Sequence, residues 1–136
     1  MAAPVLLDTH IWIWWLLGQA ELSQRERDSL DAMAANGTPP GLSAISLWEA
    51  QMLVAKQRLK LTMPLSQWLT SASAPECVTI FPIDVPVILA LDGLPVGFHG
   101  DPADRIIVAT ARANSLPLAT RDANIRKSRT GKIWKA

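Results

Sequence analysis

The chain is poor in the residues that build soft-metal and redox sites: its 136 residues include one cysteine, Cys77, and two histidines, His10 and His99. A lone cysteine excludes an internal disulfide framework, and two histidines beside it cannot complete a Cys/His zinc cage. Any metal site must be built from oxygen. Long apolar runs are missing as well, since the densest, Ile11 to Leu17, has seven residues against the roughly 20 of a membrane-spanning helix. Neither sign of charge dominates: 13 Lys plus Arg stand against 12 Asp plus Glu, a net charge of +1. That balance argues against a wholesale basic surface that binds nucleic acid by electrostatics alone. Met1 to Val5 carries no basic segment of the kind that opens a signal peptide. A soluble, cytoplasmic protein without a membrane role is expected, folded as a single domain over residues 1–136.

Strands and helices alternate along the sequence. Pro4 to Asp8 is a short apolar run closed by an acid, which suits a buried parallel strand. Ser23 to Ala35 reads as a helix, with Ser23 as N-cap, Glu26 three residues on, and an end near Asn36-Gly37. Pro39-Pro40-Gly41 reads as a break before a helix from about Ser46 to Leu59. Helices are expected over Pro64 to Ser71, Val85 to Leu91 and Asp101 to about Asn114, the last opened by Asp as cap and Pro at the first helical position. Val78 to Ile83, Leu116 to Thr120 and finally Lys132 to Lys135 read as strands. This order predicts an α/β sandwich around a central parallel sheet.

Four acids fall at telling places in that scheme. Asp8 closes the first strand, Asp122 follows the strand ending at Thr120, Glu49 sits early on a helix, and Asp104 lies in a first helical turn. In an open parallel sheet the strand C-termini and the following helix N-termini share one edge, where ligands bind. Carboxylates about 4 Å apart repel by roughly 4 kcal/mol per pair at an effective dielectric of about 20. A cluster therefore needs a cation or shared protons, and without a cation should hold at least one proton near neutral pH. Mg²⁺ or Mn²⁺ would relieve the repulsion, activate a water and steady charge on a phosphoryl oxygen. Each acid also has a plainer reading. Asp8 and Asp122 suit helix caps or turns, Ser46-Leu47-Trp48-Glu49 matches a capping box, and Asp101 with Asp104 suits the cap and third position of a helix. The common placement of the four favours a metal site, and leaves its substrate open.

The residues Val5-Leu6-Leu7-Asp8-Thr9-His10, Ser43 to Glu49, Asp101-Pro102-Ala103-Asp104-Arg105 through Ala111, and Leu118-Ala119-Thr120-Arg121-Asp122 resemble the four blocks of a PIN domain, and more narrowly of the VapC-type toxins of bacterial toxin–antitoxin systems. They occur in family order and span residues 5 to about 126. The resemblance implies a PIN-like α/β/α sandwich and a Mg²⁺- or Mn²⁺-dependent endoribonuclease whose products are a 3′-hydroxyl and a 5′-phosphate. It also implies inhibition by a cognate VapB-like antitoxin, a homodimer, and operator DNA contacted through the antitoxin alone. Carried over block by block, the catalytic acids are Asp8, Glu49, Asp104 and Asp122, with Asp8 and Asp104 as direct metal ligands. Asp101 stays ambiguous, because helix capping already explains it. Thr9 and Thr120 flank the site. Gly100 stands where relatives commonly carry a basic residue, which removes one RNA contact from the pattern.

Tyrosine is absent, and the aromatic mass lies in six tryptophans. Trp12, Trp14 and Trp15 cannot all point inward from one helix. With Trp48 they lie near helices that could form an apolar groove for an antitoxin helix; the plainer reading is that most of them pack the core, Trp48 before the other three. Charge is also unevenly spread: residues 1 to 104 carry net −6 and residues 105 to 136 net +7. Arg105, Arg112, Arg121, Arg126, Lys127, Arg129, Lys132 and Lys135 could border an acidic pocket with a surface for the RNA backbone. Two other classes fit the residues: a catalytically silent α/β interaction module, and a metal-dependent phosphatase or DNA nuclease on a similar site.

Overall fold

A computed structural model describes residues 3–95, 98, 100–128 and 131–136, with side chains for all of these but Ser128. The elements run β1 (Leu6–Leu7), α1 (Thr9–Leu17), α2 (Gln24–Ala35), β2 (Gly41–Ser43), α3 (Ala44–Ala55), α4 (Leu65–Ala72), β3 (Thr79–Phe81), α5 (Val85–Asp92), α6 (Pro102–Ala113), β4 (Leu118–Ala119) and α7 (Ala123–Ser128). The strands form one parallel sheet in the order β3-β2-β1-β4. Beyond β4, Ile133 adds a single parallel bridge to Leu118, which is what becomes of the strand expected over Lys132 to Lys135.

Successive side chains of a strand point to opposite faces, and the core follows that rule. Val5 and Leu7 join one apolar cluster with α1, Leu22, Leu30, Ala50 and Trp68. Leu6 between them joins the other, with Ile107, Val108, Ala111 and Ile125 of α6 and α7. Ala119 and Leu118 divide in the same way. Helical layers on both faces make this the α/β/α sandwich that the alternation predicts, and cover on both sides explains why β1 and β4 are apolar at every position.

The Ser23/Glu26 capping box forms as expected, each side chain bonded to the other's backbone N–H. Two local expectations fail. Strand β2 occupies Gly41–Ser43, where Pro39-Pro40-Gly41 suggested only a break. Glycine is required there by packing: a Cβ on Gly41 would lie 2.6 Å from the Phe81 ring and 3.2 Å from Leu6 Cδ1. Helix α3 accordingly starts at Ala44, capped by Ser43, so Ser46 and Glu49 lie inside it and form no capping box. It ends before Leu59, with Gln57 in the left-handed region at φ 59°.

The tryptophans are also distributed otherwise than expected. Trp12 is fully buried, packs with its ring 5.2 Å from that of Trp68 at a tilt of 47°, and donates its indole N–H to the Ala72 carbonyl at 2.9 Å. Trp15 is buried with its N–H on Asp31 at 2.9 Å. Neither is available to an external groove. Trp48, on the outer side of α3, is instead 52% exposed. Trp12→Ala should therefore cost about 3–5 kcal/mol of stability, whereas Trp48→Ala should stay within about 1 kcal/mol. Urea denaturation midpoints of the two variants check this contrast.

Candidate active site

The C-terminal edge of the sheet gathers the acids. Asp8 follows β1 directly, Asp122 follows β4 by three residues, and Asp101 and Asp104 open α6. With Glu49 of α3, these five carboxylates line an open cleft of about 410 Å³, together with His10, Trp14 and Arg121. One oxygen each from Glu49, Asp101 and Asp104 can lie within 4.8 Å of one another.

Four of the five acids are held by hydrogen bonds. Asp8 is the N-cap of α1: one carboxylate oxygen accepts from Ile11 N–H at 2.9 Å, the other from the Thr120 hydroxyl at 2.5 Å. Asp101 caps α6 by accepting from Asp104 N–H at 2.8 Å, and Asp122 accepts from Ile125 N–H at 2.9 Å. Glu49 is buried and accepts a short hydrogen bond from Thr9, whose oxygen also lies 2.9 Å from Ser46 Oγ. Thr120 Oγ1 further accepts from Asp122 N–H at 3.0 Å. Thr9 and Thr120 thus position carboxylates rather than face the cleft.

The electrostatics match the crowding. Burial pushes the Asp8 carboxyl above the ordinary aspartate range, against the lowering effect of Thr120, Ile11 N–H and His10. Burial likewise raises Glu49, opposed by the Thr9 hydrogen bond and reinforced by Asp101. Asp104 is pushed up to about 7, first by burial and then by the negative charge of Asp101, Asp122, Glu49 and Asp8. Hard oxygen donors, close spacing and carboxyls that ionise reluctantly fit a divalent cation such as Mg²⁺ or Mn²⁺.

The four acids singled out in the sequence, Asp8, Glu49, Asp104 and Asp122, all reach this one cleft, and Asp101 joins them. Capping and ligand readings prove compatible, because a carboxylate that accepts one backbone N–H keeps lone pairs for the cleft. His10 and Trp14 were not identified as site residues in the sequence, and Arg121 was named there only as one of eight cations that could border the pocket. Among the described cations of the basic C-terminal segment, Arg121 alone lines the cleft, bonded through both terminal nitrogens to Glu26 at 2.5 and 2.7 Å. Arg112 and Lys132 line a separate apolar pocket, and Arg129 lies outside the described residues. Gly100 has a packing reason, since a Cβ there would lie 2.7 Å from the Phe98 ring and 3.2 Å from Asp104 Cβ. Val96, Gly97 and His99 before it are outside the described residues. Among the described residues no helix is long and apolar enough to cross a membrane.

The family profile of the PIN domain matches residues 5–129. The chain is 33% identical over 125 residues to ribonuclease VapC22 of Mycobacterium tuberculosis (strain ATCC 25618 / H37Rv), with 92% of each sequence covered. It superposes on a chain of VapBC2 from Rickettsia felis, solved bound to a DNA fragment from their promoter, with a TM-score of 0.71, 16% identity and 98% of both chains covered. FitAcB from Neisseria gonorrhoeae gives a TM-score of 0.65 at 26% identity, over 99% of this chain and 97% of that one.

Asp104 binds its proton more tightly in the folded chain, at about 7, than at its ordinary value of 3.8. The metal-free fold is therefore favoured below about pH 4 and loses that contribution as pH rises to about 7. Asp104→Asn should raise the metal-free melting temperature at pH 8 and leave it nearly unchanged at pH 4, a pattern that thermal melts in EDTA read directly.

Proposed function

The chain belongs to the PIN domain family, and from that membership and the five-carboxylate cleft we propose that it is a metal-dependent endoribonuclease acting as the toxin of a VapBC-type pair. The observation that carries this reading is the convergence of Asp8, Glu49, Asp101, Asp104 and Asp122 on one cleft at the sheet edge. The likeness to ribonuclease VapC22 supports RNA as substrate over the phosphatase and DNA-nuclease readings. The structural likenesses to VapBC2 and FitAcB support a small antitoxin partner.

In this reading Asp8 and Asp104 hold Mg²⁺ or Mn²⁺, with Glu49 and Asp122 completing the pocket and Asp101 joining on the Glu49–Asp104 side. When bound, such an ion lowers the pKa of a water and offsets charge on the phosphoryl oxygens. The chain's own part is to fix its oxygens: Ile11 N–H and Thr120 orient Asp8, and Thr9 orients Glu49. Burial of Asp104, together with the nearby charge of Asp101 and Glu49, holds its carboxyl up at about 7 in the absence of a cation. The protein works as a single domain in the cytoplasm and reaches operator DNA through its antitoxin. It pairs with a second copy of itself, a contact for which Val85, Ile88 and Leu89 supply an exposed apolar side of α5.

Cleavage of RNA should stop in EDTA, return with Mg²⁺ or Mn²⁺, and fall by about a hundredfold or more in Asp8→Asn and in Asp104→Asn, with circular dichroism unchanged. Full metal-dependent activity in Asp104→Asn would refute the site assignment.

A further inference from the structure

Of the three tryptophans in α1, two have their rings buried and their N–H groups satisfied, and the third does not. Trp12 and Trp15 donate to Ala72 and Asp31. Trp14 is half-buried, lines the acidic cleft, and among the described residues its indole N–H meets no acceptor. One helical turn back, exposed His10 lines the same cleft, its ring 5.9 Å from that of Trp14 and tilted by 49°. Every other lining group is a carboxylate or Arg121. The described cleft therefore has one aromatic wall, and it stands beside the acids.

We infer that His10 and Trp14 form a base-stacking wall that seats one unpaired nucleobase of a single-stranded RNA next to the phosphate at the carboxylates. The inference rests on the ribonuclease reading of this cleft and adds what the acids cannot supply. Five carboxylates and one arginine repel an RNA backbone more than they attract it, and a cation bound among them engages phosphate, which is alike at every nucleotide. A ring face engages the base, and stacking on aromatic side chains is a common mode of recognition for single-stranded RNA. The i, i+4 spacing of His10 and Trp14 on one helix presents both rings on the same side. The free indole N–H offers a donor to a base or ribose acceptor. A base inside a duplex has both faces covered by its neighbours, so the wall selects unpaired RNA. An antitoxin segment is the competing occupant of Trp14. Trp14 packs against the core and lines the acidic cleft, whereas Trp48 lies on the outer surface, and that placement favours the substrate.

The test uses the full chain carrying Asp104→Asn, so that RNA persists, and a fluorescent single-stranded RNA in Mn²⁺, read by anisotropy. The same RNA is also made with an abasic nucleotide placed at each position in turn. Trp14→Ala should weaken binding about tenfold or more, and Trp14→Phe should keep most of it. One abasic position should reproduce the loss, and there Trp14→Ala should add nothing. With Asp104 intact, Trp14→Ala should raise KM, spare kcat and broaden the choice of cleaved sites. Unchanged Kd and KM in Trp14→Ala, or abasic losses that add fully to it, would overturn the wall, as would a loss confined to antitoxin binding. Should Trp14→Ala fail to fold, Trp14→Phe and the abasic series decide the matter alone. Trp14-dependent binding in a chain that cleaves no RNA would uphold the wall and overturn the ribonuclease reading. Cleavage indifferent to Trp14 would do the reverse.

Discussion

Like charge packed at one edge of a parallel sheet is the constraint on which the rest of this structure depends. Parallel connections return every strand to the same edge, so the acids after β1 and β4 meet those opening α6. The repulsion is contained by donors that the fold supplies at the same edge: the N–H groups of Ile11, Asp104 and Ile125, and the hydroxyls of Thr9 and Thr120. Helix N-termini favour negative charge, so the geometry that concentrates the acids also makes them tolerable. Asp8 is restrained on both oxygens and the other bonded acids on one, and each bonded oxygen keeps a second lone pair for the cleft.

The parts of the fold set by local chemistry were legible in the sequence. Ser23 with Glu26, and Asp101 followed by Pro102, mark helix starts from neighbouring residues alone, and both form as read. The four acids could be placed because their positions depend only on which strand or helix each one ends or begins. Long-range packing was less legible. Gly41 and its strand are explained by the Phe81 ring, some forty residues away in sequence. Ser46 and Glu49 match a capping box by spacing, yet Ser43 starts the helix sooner, and Ser46 and Glu49 are left to meet Thr9. The two sides of α3 and α1 carry similar apolar residues, so nothing local says that Trp12 is buried and Trp48 exposed. Arg121 is the clearest case: its place on the cleft is fixed by Glu26, a partner from a distant helix.

That last contact couples two things usually kept apart. Glu26 closes the capping box of α2 and also grips Arg121 through both oxygens, and Arg121 holds its carboxyl down at about 2. Asp8, Glu49 and Asp104 ionise reluctantly, while this rim pair stays charged far into acid. Mild acidification therefore protonates Asp104 and leaves the frame of the cleft tied to α2. The pocket can lose its appetite for cations without losing its shape.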